Sequence, residues 1–337
     1  MATKKSMSLT AVVLGGALVL AGCGDSDADS PGGDSSLSFG HVLAETQPWH
    51  TCGAVPFEEE VQESGTGVEI ELYPAGQTHN STAEQLDALD AGNLDITWGT
   101  PAQLATRLSD LDALDAVYAF RDVDHLNSFL ESDVAQDLWD DLLEESDLRV
   151  IGTGYYGTRH VTANHPVSTP EDLNGSQMRV LDAPLWTANG EALGAEPASV
   201  PFAELYLALQ QGVADAQENP LPVIEAEGFD EVQDYVSLTG HVVAMMAVVI
   251  TEDSWDGLSE EQQASLLEAG ETLGQGVTDC TLEQEEELLE EWSGDGADIA
   301  VHDDVDLDAF RQSAEDNLLP QFEDSWADLY RDIQAVD

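Results

Sequence analysis

The segments that decide the reading of this chain are Gly157-Thr158-Arg159-His160, Gln177-Met178-Arg179-Val180, Val200-Pro201-Phe202-Ala203-Glu204-Leu205-Tyr206, Gln217-Glu218-Asn219-Pro220 and Phe229 to His241. Arg159 and Arg179 stand on short strand-like segments, with Asn219 further along, and Pro170, Pro197, Pro201 and Pro220 punctuate the interval. Cationic side chains are rare in this protein, so the positions that keep them are informative. A guanidinium is planar, permanently charged and offers parallel donors, which suits a carboxylate fork better than lysine does.

Composition frames that reading. All 68 Asp and Glu residues follow Cys23, and the only two lysines, Lys4 and Lys5, precede it, leaving seven arginines as the cations of the rest of the chain. A field of this sign repels nucleic acid and anionic headgroups, so nucleic acid is excluded as a partner. Hydrophobic residues make up 42% of the chain and recur with clear periodicity, which argues for a fold and against disorder. The charge reads as the solvated surface of a halophilic protein, since the screening length shrinks from about 10 Å at 0.1 M salt to about 3 Å at 1 M.

Lys4 and Lys5, the apolar run Leu9 to Leu20, and the ending Leu18-Val19-Leu20-Ala21-Gly22-Cys23 form a leader segment too short to span a membrane comfortably. The ending resembles a bacterial lipobox, which implies cleavage after residue 22, lipid on Cys23, and an exported protein held on the outer face of the cytoplasmic membrane. Residues 24–36 are Asp, Ser, Gly and Pro and read as a flexible tether. Asp25, Asp27 and Asp29 imitate the start of a calcium loop, but Ser36 stands where a bidentate glutamate is needed. Cys52 and Cys280 either pair across a long loop or are both buried thiols. No spacing fits a metal site, and none calls for a cofactor.

The remaining 300 or so residues read as two α/β units. Strands are expected at 36–43, 68–73, 94–98 and 148–152, with helices at 48–64, 81–91 (capped by Ser81 or Thr82, with Glu84 behind), 103–107 and 124–146. Further strands at 159–162, 177–181 and 214–216 restart the alternation. The chain after Glu260 is mostly helical, with 282–292 and 307–333 the strongest amphipathic runs.

Gly152-Thr153-Gly154-Tyr155-Tyr156-Gly157 matches the spacing of a dinucleotide loop after a strand, yet an extended segment follows where a helix must begin, so it reads as a glycine-lined crossing between units. There is no phosphate loop, no nucleophile elbow and no zincin helix. With so many carboxylates, chance acid pairs carry no weight. His41, His50, His79, His160 and His241 are scattered candidates for a cleft, and Trp49, Trp98 and Trp186 for an apolar wall.

Together with Phe39-Gly40-His41-Val42-Leu43, Tyr73-Pro74-Ala75-Gly76-Gln77 and Leu86 to Thr97, the quoted segments resemble the solute-binding proteins of tripartite ATP-independent periplasmic (TRAP) transporters, of the C4-dicarboxylate-binding type. The resemblance covers nearly the whole chain after the leader. It implies a two-lobe, periplasmic-binding-protein-like (type II) α/β fold with a hinge and long C-terminal helices. Residues 37–156 plus 245–284 would form lobe I, and 157–244 plus 285–337 lobe II. It further implies a monomeric, non-enzymatic extracytoplasmic receptor that binds a small organic acid and hands it to an ion-gradient-driven TRAP permease. Arg179 would grip the carboxylate, with Arg159, Asn219 and Phe202 as further ligand contacts and His41 and Thr100 completing the cleft. Thr78-His79-Asn80 replaces the usual Leu-Gly, and Gly99-Thr100-Pro101 stands where some sialic-acid-binding relatives carry a glutamate, the latter disfavouring sialic acid itself. The other readings are a receptor of the same fold that feeds a membrane sensor, and a secreted hydrolase.

Overall fold

A computed structural model describes residues 33–181, 183–294 and 296–336. The leader, Cys23 and most of the tether lie outside the described residues. The tether's last two residues belong to a strand instead: Ser35 and Ser36 pair with Val68 and Glu69.

Nine strands form one sheet: β1 (Ser35–Gly40), β2 (Val68–Tyr73), β3 (Ile96–Gly99), β4 (Leu148–Ala163), β5 (Gln177–Val180), β6 (Glu196–Ser199), β7 (Ala216–Pro220), β8 (Tyr235–Thr251) and β9 (Ala300–His302). The order is β2-β1-β3-β8-β4-β7-β5-β6, and β9 pairs with β8. The expected separate strands 148–152 and 159–162 are thus one strand of 16 residues, bent by register shifts at 150/152, 155/157 and 159/161. The strand expected at 214–216 begins at Ala216 instead, because Gly212 turns the chain in a left-handed conformation and Asp215 only then bonds to Gln177.

Register places the cleft. β3 runs antiparallel to β8 and ends with Gly99 opposite Ala247, which pairs with Thr153 of β4. β7 runs antiparallel to β4 and ends with Pro220 opposite Arg159. The carboxyl ends of β1 and β3 therefore face those of β5 and β7 across β4 residues 153–159, a span of roughly 20 Å at about 3.3 Å per residue. Ligands in open α/β sheets bind outside the carboxyl ends of strands.

The mostly helical stretch expected after Glu260 opens with a single helix, Glu260–Trp292, which contains the amphipathic run 282–292. It opens with a Ser259/Gln262 capping box and lies along β4. A Cβ at Gly270 or Gly274 would run into the carbonyls of Ile151 and Thr153, and Gly152 and Gly154 present no side chain in return. The glycine motif is thus a helix-to-strand approach, while Gly157 takes φ +135° beside Pro220. Cys280 of this helix is bonded to Cys52. The expected helix 124–146 is two, Val123–Leu130 and Asp133–Ser146, because Ser132 caps the second by accepting from the Ala135 amide. The run 307–333 likewise breaks at Pro320 into Leu307–Asn317 and Ala327–Gln334. The last helix reaches back to the first half: the Tyr330 hydroxyl donates to the Val117 carbonyl (3.1 Å) and Arg121 to the Gln334 carbonyl (3.0 Å).

Candidate functional site

Arg159, on β4, is buried (5% exposed) against Glu218 of β7. Its Nε and Nη2 donate to the two carboxylate oxygens at 2.5 and 2.8 Å, and Nη2 also reaches the Asn219 Oδ1 at 3.0 Å. Its face lies 4.8 Å from the centre of the Trp186 ring. His241 Nε2 stands 3.2 Å from the same carboxylate, and its Nδ1 is 2.8 Å from the Thr239 hydroxyl. Burial alone would raise the Glu218 carboxyl; the Arg159 guanidinium and the His241 contact overcome it and hold the group down to about 2. Burial pulls His241 downward against the attraction of Glu218, and the Arg159–Glu218 pair closes its own charge.

Asn219 extends the polar row, donating from Nδ2 to Gln217 (2.6 Å), which donates to the Thr162 hydroxyl (2.9 Å). These buried side chains follow from β7 being a central strand covered on both faces, where each polar group needs a partner.

Arg179, on β5, is equally buried at 5% exposure, yet among the described residues no carboxylate lies within ion-pair distance of it. Its Nε donates to the Val200 carbonyl at 3.1 Å, and its guanidinium sits 5.4 Å from the Phe202 ring centre. Burial lowers its pKa, against the pull of Glu218. Phe202 itself is 39% exposed and meets Phe229 edge-on, so it is an accessible ring beside the cation.

On the opposite side, His41 follows β1 and stacks on Trp98 of β3 with ring centres 4.4 Å apart, its Nε2 3.1 Å from His50 Nδ1. Burial, with His50 alongside, pushes His41 down to about 3. Thr100 precedes the short helix Pro101–Leu104, where Gln103 Oε1 accepts from the Thr100 amide (2.9 Å). The Ala102 amide donates to buried Asp115 (2.8 Å), whose carboxyl burial raises to about 7 against the Ala102 bond and the attraction of Arg159. Among the described residues Trp98 Nε1 and Trp186 Nε1 are buried without a hydrogen-bond partner, and His41 Nδ1 and Thr100 Oγ1 make no hydrogen bond of good geometry.

Several candidates fall outside this assembly. Trp49 donates to the Tyr155 carbonyl within the core, His79 is half-buried beside Thr78, and His160 accepts from the Gly240 amide while burial holds it down to about 3. Sequence reasoning passed over Glu218 and Asp115. Glu218 lay inside the quoted Gln217-Glu218-Asn219-Pro220 segment, but its bond to Arg159 joins residues far apart in the chain, and one acid among 68 gives no signal. Among the described residues no helix is long and apolar enough to cross a membrane, and no cluster of side chains is arranged to hold a metal ion.

The family described as bacterial extracellular solute-binding protein, family 7 (DctP), matches residues 39–324. The sialic acid-binding periplasmic protein SiaP of Vibrio cholerae is 33% identical over 246 residues, 73% of this chain and 75% of that protein. The 2,3-diketo-L-gulonate-binding periplasmic protein YiaO of Escherichia coli is 30% identical over 289 residues, 85% and 87% of the two chains. A TRAP periplasmic solute binding protein of Roseobacter denitrificans, crystallised with bound L-galactonate, superposes with a TM-score of 0.75 at 30% identity, covering 86% of this chain and 94% of its own. A sheet whose strand ends converge on a buried cation, and relatives that share it along most of their length, lead to one assignment: the chain belongs to the bacterial extracellular solute-binding proteins of family 7, the solute-binding proteins of TRAP transport systems.

Proposed function

We propose that this protein is an extracytoplasmic receptor that grips a small organic acid through Arg179 and delivers it to a TRAP-type membrane permease. The observation that carries the proposal is a buried guanidinium at the carboxyl end of β5 with no carboxylate partner among the described residues. A buried charge left unpaired is costly, and a ligand carboxylate offsets that cost with two parallel, charge-assisted hydrogen bonds. The relatives' ligands, sialic acid, 2,3-diketo-L-gulonate and L-galactonate, are all acids.

Arg159 takes a supporting role in this proposal. Its carboxylate is supplied internally by Glu218, so it holds the Asn219 side chain by its Oδ1 and keeps the wall rigid. Phe202 covers the acid from the solvent side. The lobes divide where β4 and β8 cross the cleft, near 156/157 and 244/245, with the C-terminal helices bracing both. A ligand that touches both lobes favours the closed arrangement by its differential affinity. A lipid on Cys23 would tether the receptor to the membrane, and the acidic surface would suit it to high salt.

The test is calorimetric titration of the protein in high-salt buffer with mono- and dicarboxylates, keto acids, sugar acids and aromatic acids. One ligand per chain, recovered unchanged, is the expected result. A folded protein that binds none of them, or that turns one over, would refute the receptor reading.

A further inference from the structure

We infer that the cleft is built for acids with a single carboxylate and a tail bearing hydroxyl or carbonyl oxygens, and that it discriminates against dicarboxylates. The inference rests on Arg179 taking the carboxylate. It comes from the difference between the two walls.

Among the described residues the Arg179 wall holds one guanidinium that lacks a carboxylate, since Glu218 already neutralises Arg159. Among the described residues the opposite wall has no arginine or lysine at its strand ends. The cations of that half are used elsewhere: Arg107 pairs with Asp87 and Asp90, Arg149 pairs with Glu252, and Arg121 donates to the carbonyls of Gln334 and Val336. His41 is held neutral by burial. The buried carboxyl of Asp115 beside this wall supplies no positive charge to a second anion. A second carboxylate entering this closed region would lose its hydration with no cation to replace it, which is far costlier than burying a neutral oxygen.

What that wall does supply is neutral. Among the described residues Trp98 Nε1 is buried without a partner, as is Trp186 Nε1 across the cleft, and His41 Nδ1 and Thr100 Oγ1 make no hydrogen bond of good geometry. His41, Trp98 and Trp186 are each at least nine-tenths buried. An indole N–H only donates, and a hydroxyl or imidazole can donate or accept. Such groups are seldom left unsatisfied in a native interior without a reason. Hydroxyl and carbonyl oxygens on a ligand tail are the partners that satisfy such groups without adding charge.

Titration of the full-length protein with acids matched in carbon skeleton tests this: D-gluconate against D-glucarate, D-galactonate against galactarate, and 4-hydroxybutyrate against succinate. At least one monoacid should bind, and more than tenfold more tightly than its diacid. A diacid that binds as well as or better than its monoacid, through Arg179, overturns the inference and leaves the organic-acid receptor standing. Failure of every acid removes both. Trp98→Phe, which keeps an aromatic ring and deletes one N–H, should weaken the preferred hydroxylated monoacid about tenfold and weaken butyrate, whose tail has no oxygen to lose a partner, by less. Equal affinity of wild type and variant for the hydroxylated acid counts against the inference.

Discussion

Arg159 and Arg179 are both buried arginines on neighbouring parts of one sheet, and the structure puts them in opposite electrostatic situations. Arg159 lies in a closed network: Glu218 takes two of its donors, Asn219 shares a third contact, Trp186 covers its face and His241 backs the carboxylate. Arg179 has a carbonyl, an accessible aromatic ring and no carboxylate among the described residues. The contrast teaches that a binding cation is identified less by its burial than by what the protein withholds from it. A paired charge holds the wall in shape; an unpaired one waits for an anion.

The largest expected effect breaks the closed side. Glu218→Gln leaves Arg159 buried without its counter-charge and should destabilise the fold by about 3–5 kcal/mol, read from urea unfolding. If stability hardly changes, Arg159 is not the structural member of the pair. On the open side the reverse is expected. Arg179→Ala should leave unfolding unchanged or slightly improved, because an uncompensated buried charge is removed. It should weaken acid binding by about 3 kcal/mol, roughly two orders of magnitude, as two charge-assisted hydrogen bonds vanish together. Retained affinity in this variant would exchange the roles assigned here.

The pH dependence sharpens the comparison with a third buried charge. Glu285, on the long helix, accepts from the Tyr155 hydroxyl (2.7 Å) and the Thr158 amide (2.8 Å) next to the crossing of β4, and burial raises its carboxyl to about 7 despite those bonds. A raised carboxyl favours the fold in its protonated form, so its contribution is full below about 4.5 and is lost as pH rises through about 7. Glu218, held down to about 2, has the opposite sign: its stabilisation is present above about 4.5 and is lost as pH falls toward 2. Glu285→Gln should therefore gain about 2 kcal/mol on wild type between pH 5 and pH 8 in thermal or urea unfolding. A gap that stays constant across that range would mean that Glu285 is ionised throughout.

Much of the first half was legible. Val68–Tyr73 alternates buried and exposed residues as the sequence pattern predicts, and Ser81 caps its helix by accepting from the Glu84 amide while Glu84 reaches back to the Asn80 amide. β8 was not legible as a strand. Its run Val242 to Ile250 is apolar at every position because both faces of a central strand are covered, so no period of two survives. The unity of β4 was hidden for a related reason: its glycines read as a break, whereas Gly152 and Gly154 make room for the helix bearing Gly270 and Gly274.

The sequence by itself determined which residues were chemically suited to hold an acid, because a guanidinium's charge and an amide's donors belong to the side chain wherever it sits. It also determined the local elements whose caps and periodicity are written within a few residues. Only the tertiary structure decided which arginine was paired with Glu218 and which was left open, and that the ends of β1 and β3 meet those of β5 and β7 across one continuous sheet. Those outcomes depend on distances between residues dozens of positions apart, and electrostatic free energy is set by distance and burial, neither of which a linear order contains.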